Sequence, residues 1–216
     1  MYKAIPEVFF ETAQKHPNKN ALLYKKEGVY FPVTYKELSK KIITFSVALC
    51  DIGVEKGDRV AILSENRPEW VISDLAIMMA GAIVVPLHTT FNPKAICSVL
   101  NHCEAKVLIV SNSELLNKVL LGQKYLKYLK KIIFIENLTA TQKEVLSSKV
   151  LSWKAIFSQN KTVQNDLEKI FLDPDECCSI IYTSGTTGES RGVMLTHRNF
   201  LKIGRASCRE RVCLYV

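Results

Sequence analysis

Between positions 182 and 192 the chain reads Tyr182-Thr183-Ser184-Gly185-Thr186-Thr187-Gly188-Glu189-Ser190-Arg191-Gly192. Three glycines, five hydroxyl side chains from Thr183 to Ser190 and one guanidinium share this short stretch. Glycine lets a backbone turn through positive φ and bring its N–H groups close to a ligand. Short hydroxyls add donors without bulk, and the forked guanidinium of Arg191 suits phosphate oxygens. These residue types in this order predict a loop that wraps phosphates. A Walker loop would need four residues between two glycines and then Lys-Ser/Thr. The glycines at 185, 188 and 192 do not satisfy that rule, and no Gly-x-Gly-x-x-Gly is present. A plain hairpin turn would need only two to five residues.

The flanks predict where the loop sits. Cys178–Tyr182 reads as one strand and Gly192–Leu195 as another, so the loop joins two strands. Upstream, Pro6 suits the first turn of a helix carrying Ile5, Val8, Phe9 and Ala13. Ala21–Tyr24 and Val29–Val33 predict two strands across a turn at Gly28. Thr34 and Glu37 have capping-box spacing, and the helix they open carries Leu38, Ile42, Phe45 and Leu49 on one face before ending near Gly53. From Arg59 an alternation begins. Val60–Leu63, Ile83–Pro86, Val107–Val110 and Ile132–Ile135 read as strands. Pro68–Ala80 (with Asn66 as cap), Pro93–His102 (with Asn92 as cap) and Ser113–Tyr128 read as helices. Leu138–Gln159 shows no clear period, and Asp173–Glu176 reads as a polar turn. Near-continuous apolar strands separated by helices predict an α/β fold, a parallel sheet covered by helices on both faces.

The signature stretch resembles that of the adenylate-forming (AMP-binding) enzymes, the group of acyl-CoA synthetases, luciferases and adenylation domains. Their pattern is roughly Tyr-Thr-Ser-Gly-Thr-Thr-Gly-x-Pro-Lys-Gly. The match is unbroken from Tyr182 to Gly188 and returns at Gly192, with Ser190 in place of Pro and Arg191 in place of Lys. Val33–Leu38 resembles the family's first core motif and Met79–Leu87 its second. Asn66-Arg67-Pro68-Glu69-Trp70, with Pro6-Glu7-Val8-Phe9, is most similar to long-chain fatty acyl-CoA synthetases. The resemblance implies part of the large N-terminal domain of such an enzyme over residues 1–202. It also implies an ATP-dependent acid–CoA ligase activity in the parent protein, by way of an acyl-adenylate, with a fatty acid, ATP, coenzyme A and Mg²⁺ as reactants or cofactors. It assigns Thr183, Ser184, Gly185, Thr186, Thr187, Gly188 and Arg191 to the nucleotide phosphates, Thr187 also to Mg²⁺, and Thr187 and Arg191 to catalysis. An aryl-acid ligase, an adenylation domain and a non-enzymatic nucleotide-binding or interaction protein are the alternatives.

Residues 203–216 change character. They read without helical or strand period, resemble the translation of a sequencing adapter, and predict a break in the helix that Thr196 should cap. The expectation is a non-native tail on an N-terminal piece that by itself lacks activity.

Composition bounds the rest. The formal charge of +8 is carried by lysines scattered along the chain, with no aromatic-interleaved basic patch, so nucleic acid is not the expected partner. Seven cysteines, an odd number without a Cys-x-x-Cys, point to free thiols in a reducing cytoplasm. Cys97, His102 and Cys103 invite a metal reading, but no second ligand group follows at zinc spacing, and packing is the stronger expectation. His16, His88 and His197 show no sequence partner, and Trp70 reads as packing on its helix. The longest apolar run, Leu75–Leu87, falls short of the ~20 residues that span a bilayer. Small-molecule substrates are thus expected, with membrane contact no more than peripheral.

Overall fold

The computed structural model describes residues 3–137, 150–158, 172–184 and 190–209. The chain opens with α1 (Ile5–Lys15), Pro6 in its first turn, and then β1 (Asn20–Lys26) and β2 (Val29–Thr34). Glu27 and Gly28 join the two strands at φ 50° and 83°. Positive φ at both central residues is the two-residue turn whose twist matches that of paired strands. Thr34 caps α2 (Tyr35–Asp51): its hydroxyl accepts from the Glu37 N–H, and the Glu37 carboxylate accepts from the Thr34 N–H.

The remaining elements build one sheet. They are β3 (Arg59–Leu63), α3 (Pro68–Met79), β4 (Ile83–Leu87), α4 (Pro93–His102), β5 (Val107–Val110), α5 (Ser113–Leu121), β6 (Lys131–Phe134), β7 (Val150–Ser152), α6 (Trp153–Ser158), β8 (Cys177–Ser184), β9 (Ser190–Thr196) and α7 (His197–Arg209). The strand order is β7-β6-β5-β3-β4-β8-β9, and every pairing is parallel except the last, β8 with β9.

Side-chain alternation splits the core in two. Val60, Ile62, Val84, Val107, Ile109 and Ile133 point to one face, where they meet Phe45 and Leu49 of α2 and Ile72 and Ala76 of α3. Ala61, Leu63, Val85, Leu87, Leu108 and Val110 point to the other, against Ile96 and Leu100 of α4 and Leu116 of α5. Because both faces are covered, Val60–Leu63 and Val107–Val110 of the central strands are apolar at every position rather than at alternate ones.

Several sequence expectations change. Asn66 does not cap α3. Pro68 occupies the first helical position and so makes Arg67 the cap, without a side-chain cap hydrogen bond. The helix expected to reach Tyr128 stops at Leu121, followed by a short 3₁₀ turn over Gln123–Tyr125. Gly122 is its C-cap and packs against α4 with no room for a side chain: a Cβ would run into Cys97 Sγ, whose thiol donates to the Gly122 carbonyl. Val8 of α1 is exposed rather than core-facing. The unassigned stretch 138–159 holds β7 and α6, with Trp153 and Phe157 on Phe45; residues 138–149 and 159 lie outside the described ones.

The last helix does not break after Lys202 but runs on to Arg209. Only Gly204 in that span is a poor helix former, and one interior glycine costs about 1 kcal/mol, too little to end a helix on its own.

Gly122→Ala should destabilise the fold by about 1–3 kcal/mol through overpacking. Combined with Cys97→Ala it should cost less than the two single changes together. Urea denaturation of the three variants and the parent measures this coupling.

Candidate phosphate site at the carboxyl edge

In a parallel sheet the carboxyl ends of all strands share one edge, and ligands of open α/β sheets bind there, where neighbouring strands send the chain in opposite directions. Here that point lies between β3, which leads to β4 on one side, and β5, which leads to β6 on the other. The chain's own polar groups span it. The Glu65 carboxylate, just after β3, accepts hydrogen bonds at 2.5 Å from the fully buried Ser111 hydroxyl and at 3.4 Å from the Asn112 amide, both just after β5. Arg67 pairs with Glu65 at 3.1 Å and with Glu69 at 2.8 Å, and it reaches Glu136 at 3.9 Å. Burial pushes the Glu65 carboxyl up, but the hydrogen bond from Ser111 and the neighbouring Arg67 outweigh it and hold the group below its ordinary value. This cluster braces the edge and was missed from sequence, although Arg67 and Glu69 lie in the Asn-Arg-Pro-Glu-Trp motif. Trp70 of that motif packs against the core beside them.

The same edge carries the signature loop. β8, paired with β4 through Ser179 and Val84, delivers the chain to that edge, and β9 brings it back antiparallel. The strands are paired up to Ser184↔Ser190, so the loop closes between two ladder-paired strands, as its flanks predict. Of the sequence-predicted site residues, Thr183 and Arg191 face each other as a cross-strand pair, both exposed at the loop's mouth. Ser184 is the last residue of β8. Gly185, Thr186, Thr187 and Gly188 lie outside the described residues.

One pair below the mouth, Tyr182 is buried opposite Gly192. A Cβ on Gly192 would stand 2.8 Å from Ile180 Cγ2 and 3.2 Å from the Tyr182 ring, so this glycine is required by a close approach of side chains. Burial pushes the Tyr182 phenol up to about 12, and its oxygen lies 2.6 Å from His102 Nδ1.

The other singled-out residues take structural roles. The thiols of Cys97 and Cys103 donate to the carbonyls of Gly122 and Leu100. Among the described residues no group of three or more His, Cys, Asp or Glu side chains could hold a metal ion. His88 stacks edge-on against Phe91. His197 has a partner that sequence did not reveal: it is buried, and its Nδ1 accepts from the Ile5 N–H, tying α1 to the start of α7. Burial pushes its imidazole down.

The model of the AMP-binding enzyme family matches residues 9–214. The chain belongs to the AMP-binding enzyme family. Its relatives include the long-chain-fatty-acid–CoA ligase ACSBG2 of Xenopus laevis, 33% identical over 90% of this chain and 26% of that protein. Another is the long-chain-fatty-acid–[acyl-carrier-protein] ligase AEE15 of Arabidopsis thaliana, 29% identical over 93% of this chain and 29% of that protein. The chain thus spans just over a quarter of the length of these relatives. Among solved structures, the anthranilate CoA ligase AuaEII in complex with anthranoyl-AMP superposes with a TM-score of 0.82 at 25% identity, over 94% of this chain and 36% of that one. The α/β architecture is that of the N-terminal domain of adenylate-forming enzymes. Among the described residues no helix is long and apolar enough to cross a membrane.

This AMP-binding chain also holds a carboxyl group with an unusual titration beneath the loop strand. Asp74 of α3 is enclosed around its carboxyl, and burial raises it from 3.8 to about 7. Burial, with smaller contributions from Cys177 and from the Asp74 carboxylate, pushes the Cys178 thiol of β8 up to about 12. The folded chain holds the Asp74 proton where the unfolded chain has released it. The stability this contributes is complete below pH 3.8 and is lost as pH rises through about 7. Asp74→Asn should therefore gain melting temperature relative to the parent progressively over that interval and level off above it, which melting curves across pH will show.

Proposed function

We propose that the protein is an AMP-forming ligase that activates a long-chain fatty acid and transfers it to coenzyme A. The observation that carries this reading is the uninterrupted Tyr182–Gly188 signature at the carboxyl edge of a sheet of the AMP-binding family, in a chain whose sequence relatives include long-chain fatty acid–CoA ligases. In the first half-reaction a carboxylate oxygen attacks the α-phosphorus of ATP. The P–O bond to the β-phosphate breaks, and pyrophosphate leaves with its electron pair. In the second, the thiolate of coenzyme A attacks the acyl carbon, and the bond to AMP breaks. Both steps depend on positioning and on neutralising charge that develops on oxygen.

Within this scheme Thr183, Ser184, Gly185, Thr186, Thr187 and Gly188 cradle the β- and γ-phosphates. Arg191, opposite Thr183, stabilises the departing pyrophosphate. The described residues at the mouth, Thr183 and Arg191, bring no carboxylate. Thr187 would hold a Mg²⁺ ion, which would neutralise phosphate charge there. The substrates are small molecules, the setting is the cytoplasm, and contact with a membrane is peripheral.

A second reading, an aryl-acid ligase, is favoured by the superposition on the anthranilate CoA ligase. ATP–pyrophosphate exchange by the full-length protein with palmitate, anthranilate and benzoate separates the two. Exchange with palmitate alone supports the fatty acid reading; exchange confined to the aromatic acids overturns it.

In the full-length protein, Arg191→Ala should slow adenylate formation on the order of 10²-fold or more, the loss typical of one preorganised donor. Thioester formation from supplied acyl-adenylate should survive. Equal loss in both half-reactions would make the role of Arg191 structural.

A further inference from the structure

We infer that His102 is a positioning residue for nucleotide binding: through its hydrogen bond with Tyr182 it holds β8 where that strand delivers the signature loop. The inference rests on reading that loop as a phosphate cradle.

His102 stands on a fixed post. It is the last residue of α4, and both sequence neighbours are tied down. Asn101 donates from Nδ2 to the Tyr125 carbonyl at 2.8 Å and accepts at Oδ1 from the Lys127 N–H at 3.0 Å. The carbonyl of Cys103 accepts from Arg59 Nε at 2.5 Å, which locks the helix end to the start of β3. The imidazole therefore projects from a point braced against two other parts of the fold.

Tyr182 receives that support. Its ring meets the imidazole edge-on, with centroids 5.6 Å apart and planes at 88°. The hydroxyl has 2.6 Å to His102 Nδ1, and burial keeps the phenol protonated and able to donate. A Phe at this position would fill the same space, so packing alone does not call for the hydroxyl. The phenol also lies directly over Gly192, so a shift of Tyr182 moves β9 with β8. The next pair is Thr183↔Arg191, the described mouth of the loop. The hydrogen bond thus pins the strand pair one step before the residues proposed to meet phosphate. Without it the buried phenol loses its partner, which favours rearrangement of the strand that carries it.

The test uses the full-length protein with His102→Ala, Tyr182→Phe, the double variant, and His102→Asn, whose Oδ1 can stand near the position of Nδ1. Three readouts are taken: amide hydrogen exchange at Thr183 and Arg191, ATP affinity by titration, and thioester formation from supplied acyl-adenylate. Each single variant should raise exchange at both amides and weaken ATP binding on the order of tenfold, leaving thioester formation unchanged. The double variant should be no worse than either single one, as expected for two ends of one interaction. His102→Asn should restore most of the affinity. Unchanged exchange in His102→Ala overturns the inference, as do effects that add in the double variant, unaltered ATP affinity, or equal loss in both half-reactions. Failure of the parent protein to bind ATP sinks the phosphate reading of the loop instead; exchange at Thr183 and Arg191 then still decides whether His102 holds the strand pair.

Discussion

Both faces of the central strands are dry, and the rest of the architecture follows from that. Every residue of Val60–Leu63 and of Val107–Val110 is buried, so helices must cover the sheet above and below. Parallel pairing then requires each strand to be followed by a crossover, and the crossovers supply those helices. Polar groups are pushed to the sheet's edges, where strands end and backbone groups need partners. The carboxyl edge accordingly gathers Glu65, Arg67, Ser111 and Asn112, and it is also where the signature loop emerges.

The loop's setting differs from the helix-borne phosphate loops of other nucleotide-binding folds. Those place the anion at a helix N-terminus, where free N–H groups and the helix dipole favour negative charge. Here the loop hangs between two antiparallel strands, so no helix dipole follows it directly. In the proposed phosphate cradle positive charge would come from a side chain, and Arg191 stands on the returning strand opposite Thr183. The family pattern has Lys there; guanidinium keeps the charge but presents a planar fork instead of a compact ammonium. The positions of Thr183 and Arg191 depend in turn on the strand pair below them, where Gly192 leaves room for the Tyr182 ring and His102 meets its hydroxyl.

Distant segments converge on this hairpin. His197, immediately after β9, accepts from the backbone of Ile5, and Asp74 of α3 lies close enough to β8 to perturb Cys178. The start of α7 is held further by Thr196 and Asn199, which cap reciprocally, and by Arg198 paired with Asp175. The hairpin that carries the loop is therefore braced from the first helix and from the turn that precedes β8.

Much of this was written locally. The pattern of apolar residues identified most of the strands and helices, β7 and α6 excepted, because burial on one or two faces imposes that pattern on the chain itself. Thr34 with Glu37, Asn92 before Pro93, and the turn at Gly28 could be read because their partners lie within a few residues. The glycines and hydroxyls on which the proposed phosphate role of the loop rests could be read for the same reason. What sequence could not give were relations between distant segments. Periodicity says that Tyr182 and His197 fall in ordered elements, but not that a histidine 80 residues away meets the first or that the backbone 192 residues away meets the second. Helix propensity carried α5 on to Tyr128, whereas the helix stops at Leu121, and only the packing shows that Gly122 beside it must lack a side chain next to Cys97. Local chemistry decided which elements form and which loop is the candidate site; only tertiary packing decided which side chains brace the strands that carry it, because hydrogen bonds and steric limits depend on distances in space that spacing along the chain does not encode.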